Sequence, residues 1–233
     1  GRCRRSAESP RASLSGDRRL NGGDTRRSVA VELSAIGAAA LVFVATLRVR
    51  PPWLDFALAG AAVALIVASA ARSRRLWSLA AAVSPGGSRA AWRACAAFTA
   101  GALLVLIIAG ALLKPPQQPW PERFLNWHFA LAVALYFPWA LLQQYIFQFY
   151  WHGRWLRLVP AQAALVLTAL AFAAVHFPRW PVMLVTLAAG AFWSYCYYRW
   201  RELLPLAASH AVLGAALHYW VFGRDLLEAW LAR

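Results

Sequence analysis

The chain has 233 residues, 61% of them hydrophobic, with only 9 acidic residues against 24 Lys and Arg. That balance excludes an ordinary soluble globule and points to a polytopic membrane protein. It also argues against nucleic acid as a partner, because the arginines flank apolar runs instead of forming a basic face interleaved with aromatics.

Residues 1–28 hold eight Arg among Ser and Gly with no apolar run, so a disordered basic tail is expected, and nothing in it resembles a signal peptide. The first residue is Gly1 and not Met, the pattern of a piece of a longer reading frame or of a processed protein. Apolar runs follow at 29–47, 53–71, 91–113, 124–151, 160–177, 181–198 and 203–222. Each reaches or exceeds the roughly 17 to 25 residues that a membrane-crossing helix needs. The expected fold is therefore an all-α integral membrane protein with about seven transmembrane helices. Pro51, Pro52, Pro115, Pro116, Pro160, Pro178, Pro181 and Pro205 fall at or near the breaks, where a missing N–H does least harm.

The segment 72–93 carries five Arg around Ser84-Pro85-Gly86-Gly87 and reads as a basic loop with a short interfacial helix. This gives a tail at 1–28, three N-terminal helices over 29–113, a four-helix group over 114–223 and a short tail at 224–233. With the N-terminus inside, 17 of the Lys and Arg fall on the cytoplasmic side and 7 outside, so an N-in, C-out orientation is expected. Trp120, Trp127, Trp151, Trp155, Trp180, Trp200 and Trp220 sit near span ends and read as interfacial anchors. Cys3, Cys95 and Cys196 show no CxxC spacing, and so neither a disulfide framework nor a metal site.

Few strongly polar side chains fall inside the spans, and such residues are site candidates by default. They are Gln143, Gln144 and Gln148 on the fourth run, His176 on the fifth, and His210 with His218 on the seventh. Gln144 and Gln148 share a helix face at four-residue spacing, as do Phe172 and His176. His210, Gly214 and His218 form a third stripe, with Gly214 leaving a gap for a neighbour. Stripes from three helices converge if they line one pocket. The competing reading makes each side chain interhelical hydrogen-bond glue worth about 0.6 to 2 kcal/mol. His152 suits that second reading, while Asn126 and His128, near the start of the fourth run, read as interfacial. Counted from span ends, Gln143 and His210 lie toward one membrane face and His176 and His218 toward the other, so either one tilted pocket or two polar layers is expected.

From about Phe124 to Phe222 the chain resembles the CPBP family, the CAAX-protease and bacteriocin-processing membrane proteins also called Abi, which include type II CAAX prenyl endopeptidases. That family carries Glu-Glu-x-x-x-Arg, Phe-x-x-x-His and His-x-x-x-Asn or Asp on successive helices of a four-helix core. The corresponding stretches here are Gln143-Gln144-Tyr145-Ile146-Phe147-Gln148, Phe172-Ala173-Ala174-Val175-His176 and His210-Ala211-Val212-Leu213-Gly214. Only Phe-x-x-x-His is intact. The resemblance implies His176, His210, Gln143 and Gln144 at catalytic positions, and Gln148, Phe172, Gly214 and His218 lining the cleft. It implies a membrane-associated or lipidated peptide as substrate or partner and a bacterial-type plasma membrane as location. No cofactor and no metal are expected.

The departures bear on chemistry. In the family a glutamate assisted by histidines is thought to activate water for attack on a peptide bond, and an amide has no group that takes the proton. All nine acids lie in tails, loops or near span ends. Three glutamines, replacing two acids and a cation together, are expected to satisfy one another without stranding a charge. Two classes of function follow: a peptidase using His176 or His210 as base, or a non-catalytic membrane scaffold holding an apolar or lipidated peptide. A metal site fits less well, since the histidines lack orienting carboxylates. A thiol mechanism through Cys196 would need an electropositive, accessible setting.

Overall fold

The protein is described here by a computed structural model covering residues 26–45, 88–113 and 127–225, with a few helical positions between 60 and 68. Among the described residues there are helices and no strand. In chain order they are α1 (Arg26–Ala45), α2 (Arg89–Leu113), α3 (Trp127–Trp155), α4 (Ala161–Ala174), α5 (Trp180–Trp200) and α6 (Leu204–Ala216). The run expected at 53–71 and the basic loop at 72–87 lie mostly outside the described residues. Helix α1 begins at Arg26 and so takes in the last three residues of the stretch expected to be tail.

Local chemistry sets the ends. Ser88 accepts the Ala90 and Ala91 amides on its hydroxyl, opening α2 as a capping side chain does. Pro181 and Pro205 stand in the first turns of α5 and α6, where their missing N–H costs nothing. Helix α4 stops short of its apolar run: the chain turns through Val175 to Pro178, and a residue before proline is held out of helical geometry. At the end of α5, Arg201 takes the left-handed conformation at φ 59°, donates its amide to Tyr197 O and lays its guanidinium 5.4 Å from the Tyr197 ring centroid.

Two helices, α2 with 25 residues and α3 with 29, are long and apolar enough to cross a membrane, and α4 is a shorter apolar helix. On α2, Leu104, Val105, Ile108, Leu112 and Leu113 are exposed, a face suited to lipid more than to water. The last part of α3, Tyr145–His152, winds as a π-helix, and α6 continues as another over Leu217–Val221. Such segments recur at functional sites.

The chain divides into two compact units. In the first, residues 1–77 with 153–164, the Arg26 guanidinium donates to Leu158 O at 2.9 Å and the buried Arg154 meets Glu32 at 3.1 Å. The second, residues 78–152 with 165–233, contains α2, α3 to His152, α4 from Leu165, α5 and α6. Its core is Phe172, Trp193, Leu203, Leu206 and Tyr219, all nearly sealed from solvent.

The C-terminal end of this unit is tied down by a carboxylate. Asp225 lies in the stretch expected to be tail, yet it is buried, accepts Tyr219 OH at 2.6 Å and meets His128 Nδ1 at 2.7 Å. His128, expected at the interface, is therefore an anchor point. Asp225→Ala removes the carboxylate that both His128 and Tyr219 bond and is expected to lower stability by about 1 to 3 kcal/mol. A thermal melt in lipid checks this, and an unchanged midpoint would show that the cluster holds nothing in place.

Candidate functional site

The site is built on a stripe of α3. Tyr136, Ala140 and Gln144 recur every four residues and so share one face. The small, fully buried Ala140 lets that face pack against α6. There it meets His210, which is buried among aromatic rings. Gln144 Nε2 lies 3.4 Å from His210 Nδ1, and Tyr136 OH lies 3.4 Å from His210 Nε2. As the amide is oriented, its N–H donates to Nδ1, so Nε2 carries the proton and donates to the Tyr136 hydroxyl. Both ring nitrogens of His210 are engaged.

Gly214, one turn along α6, is the gap that admits Tyr136: a Cβ there would lie 2.7 Å from Tyr136 Cε1. Phe172 occupies the centre. Its ring is fully buried and stands 5.4 Å from His210, 5.6 Å from Trp193, 5.1 Å from Phe147 and 5.7 Å from His176. Gly190 on α5 makes room for it, since a Cβ there would lie 3.2 Å from Phe172 Cδ1. Trp193 covers His210 at 4.8 Å and donates its indole N–H to Ser209 Oγ at 3.1 Å. Thr99 of α2 reaches the same hydroxyl at 2.7 Å.

His176 and His218 share one device. His176 Nδ1 donates to Phe172 O at 3.0 Å, and His218 Nδ1 donates to Gly214 O at 2.9 Å, each a bond to the carbonyl four residues back. A carbonyl only accepts, so Nδ1 carries the proton and Nε2 keeps its lone pair. Both side chains are half-buried, and His176 lies within electrostatic reach of His210, His218 and Arg179.

The three stripes thus meet in part. Gln144, Phe172, His210 and Gly214 come together around Tyr136 and Trp193, and His176 joins through Phe172. Gln143, adjacent to Gln144, cannot share its face and is partly exposed. Gln148 is fully buried one turn along, in the π-helical segment. The expectation that the three glutamines satisfy one another fails. Neither amide atom of Gln148 finds a hydrogen-bond partner among the described residues, nor do the side-chain oxygens of Gln143 and Gln144. Unequal helix rotation is the reason: Gln143 and Gln144 project about 100° apart, and a turn of rise separates Gln148 from both. His152 is a buried structural group, with Nδ1 3.2 Å from Thr168 Oγ1.

Tyr136 and Trp193 escaped the sequence reading. Tyr136 was within reach, since extending the Gln144 stripe back two turns arrives at it. Trp193 lay hidden in an aromatic-rich helix. Among the described residues no group of three His, Cys, Asp or Glu side chains is placed to hold a metal ion, and His210, with both nitrogens occupied, is unsuited as a ligand.

A family model described as type II CAAX prenyl endopeptidase Rce1-like matches residues 87–216, more than half of the chain. The chain belongs to that Rce1-like family. The match begins just before α2, so Thr99 and its contact to Ser209 fall within the Rce1-like region, which the motif resemblance had started only at Phe124. It ends at Ala216, leaving His218 and Asp225 beyond it. No curated protein and no solved structure matched the chain. The family and the apolar helices together point to a membrane protein.

Proposed function

We propose that this Rce1-like chain binds membrane-associated peptide segments in a disarmed cleft and does not hydrolyse them. The observation that carries the reading is Gln144, which stands at the family's acidic pair with its amide turned onto His210. A carboxylate there would accept a proton from water, whereas an amide can only orient that water. Loss of a general base forfeits about two to four powers of ten in rate. Each described carboxylate has another partner: Asp225 is engaged by His128 and Tyr219, Glu202 by the Ser88 amide, and Glu32 by Arg154. In this reading the four-helix group from α3 to α6 forms the cleft, within a bundle of about seven spans oriented N-in.

His176 favours a second reading. Its Nε2 lone pair is available by tautomer, and a water held there could lose a proton to the imidazole. One experiment separates the two. Fluorogenic membrane-associated peptides are offered in lipid to the wild type, to His176→Ala, and to the triple variant Gln143→Glu, Gln144→Glu, Gln148→Arg. Binding without cleavage by the wild type is expected, with a gain of about a hundredfold in cleavage by the triple variant. Wild-type cleavage abolished by His176→Ala would overturn the proposal and establish a peptidase whose base is histidine.

A further inference from the structure

Helices α2 and α5 lie side by side and antiparallel. The amide of Ser88, just ahead of α2, donates to the Glu202 carboxylate, just past α5. Further along, Phe98 stacks on Phe192 with centroids 4.0 Å apart and planes 10° from parallel. Residue numbers rise along one helix as they fall along the other, so these contacts fix the register of the seam. Between the two levels the register sets Cys95 opposite Cys196. Each thiol lies within electrostatic reach of the other, both are free, and their exposures are 2% and 0%. Ala91, one turn before Cys95 on the same face of α2, is likewise buried.

Two thiols set opposite each other across a fixed seam are placed to bond after local movement, since a disulfide requires close α-carbons and facing Cβ atoms. Burial decides what reaches them. A charged oxidant is held off by the apolar surroundings, whereas a small neutral one partitions into lipid and protein interior. We propose that Cys95 and Cys196 form a modification site, a buried dithiol that a neutral two-electron acceptor of the diazene class converts to a disulfide joining α2 to α5. One thiol adds across the N=N bond to give an S–N adduct, and the second sulfur attacks the first as the S–N bond breaks and the S–S bond forms. Two S–H bonds are lost, and both protons and both electrons end on the acceptor, which leaves as a hydrazine.

The bond would close a loop of roughly a hundred residues. That loop contains Gln144, Gln148, Phe172, His176 and Trp193. Trp193 sits three residues before Cys196, so the link would pin the helix that covers His210. Nothing in this inference depends on whether the cleft cleaves peptides.

The test uses the full chain carrying Cys3→Ser, in lipid nanodiscs, with diamide as the diazene probe. After diamide, denaturation and alkylation, both remaining thiols should be lost from the intact-mass count. A Cys95–Cys196 peptide pair should appear, and dithiothreitol should restore both thiols. The melting midpoint should rise by several degrees before reduction. Cys95→Ser and Cys196→Ser, each added to this background, should keep their single thiol alkylatable under the same exposure. Two alkylatable thiols after a dose that oxidises free dithiothreitol would overturn the proposal, and so would cross-links that run between chains.

Discussion

Phe172→Ala is expected to lower stability by about 3 kcal/mol, toward the low end of the usual cost of emptying a phenylalanine site. The ring touches Phe147, His176, Trp193 and His210, so its loss opens a void that four neighbours line, three from helical segments and His176 from the turn after α4. In lipid the unfolded reference is itself apolar, which removes much of the transfer contribution and leaves mainly lost packing. Phe172→Leu, which fills more of the space, should cost less than half as much. Thermal melts of both variants in nanodiscs check the order. Equal midpoints for the wild type and Phe172→Ala would remove Phe172 from the centre of the site.

Gly110→Ala should be as damaging, by the opposite cause. A Cβ on Gly110 would overlap the backbone carbonyl oxygen of Trp220, and a backbone atom cannot swing aside as a side chain can. Forcing a methyl into that contact costs about 3 kcal/mol or more, because helix α2 must move off the end of α6. Gly101 on the same helix supplies the control, since a Cβ there meets nothing within 4 Å. Gly101→Ala should be neutral or stabilising by up to about 1 kcal/mol, through helix propensity alone. A melt in which the two alanines behave alike would show that α2 and the end of α6 do not approach as described.

The periodic part of the site was legible in the sequence. Four-residue stripes on α3, α4 and α6 were enough to bring Gln144, Phe172 and His210 together, because side-chain direction on a helix follows from spacing. Gly214 was legible for the same reason, as a gap, though its occupant Tyr136 was not. What spacing cannot state is how far each helix turns about its own axis. That rotation decided that Gln143, Gln144 and Gln148 would not bond one another. The π-helical winding of Tyr145–His152 adds a shift that no α-periodic reading includes. Asp225 was illegible for a different reason: a carboxylate in a polar-ended tail carries no local sign of a partner 97 residues upstream. The seven-span count also outran the structure, in which two helices among the described residues meet the length and apolarity of a membrane crossing.

Ser209 carries a consequence for variation among related sequences. Its hydroxyl is shared by Thr99 of α2 and Trp193 of α5, and it directly precedes His210 on α6. An indole N–H only donates, so Ser209 Oγ must accept from Trp193 whatever Thr99 does. Drift to alanine at 209 would leave a buried donor on Trp193 and a hydroxyl on Thr99 both without a partner, a greater loss than either bond alone. Positions 99, 193 and 209 should therefore change together across an alignment of Rce1-like chains, while lipid-facing Leu104 and Ile108 should vary independently of them.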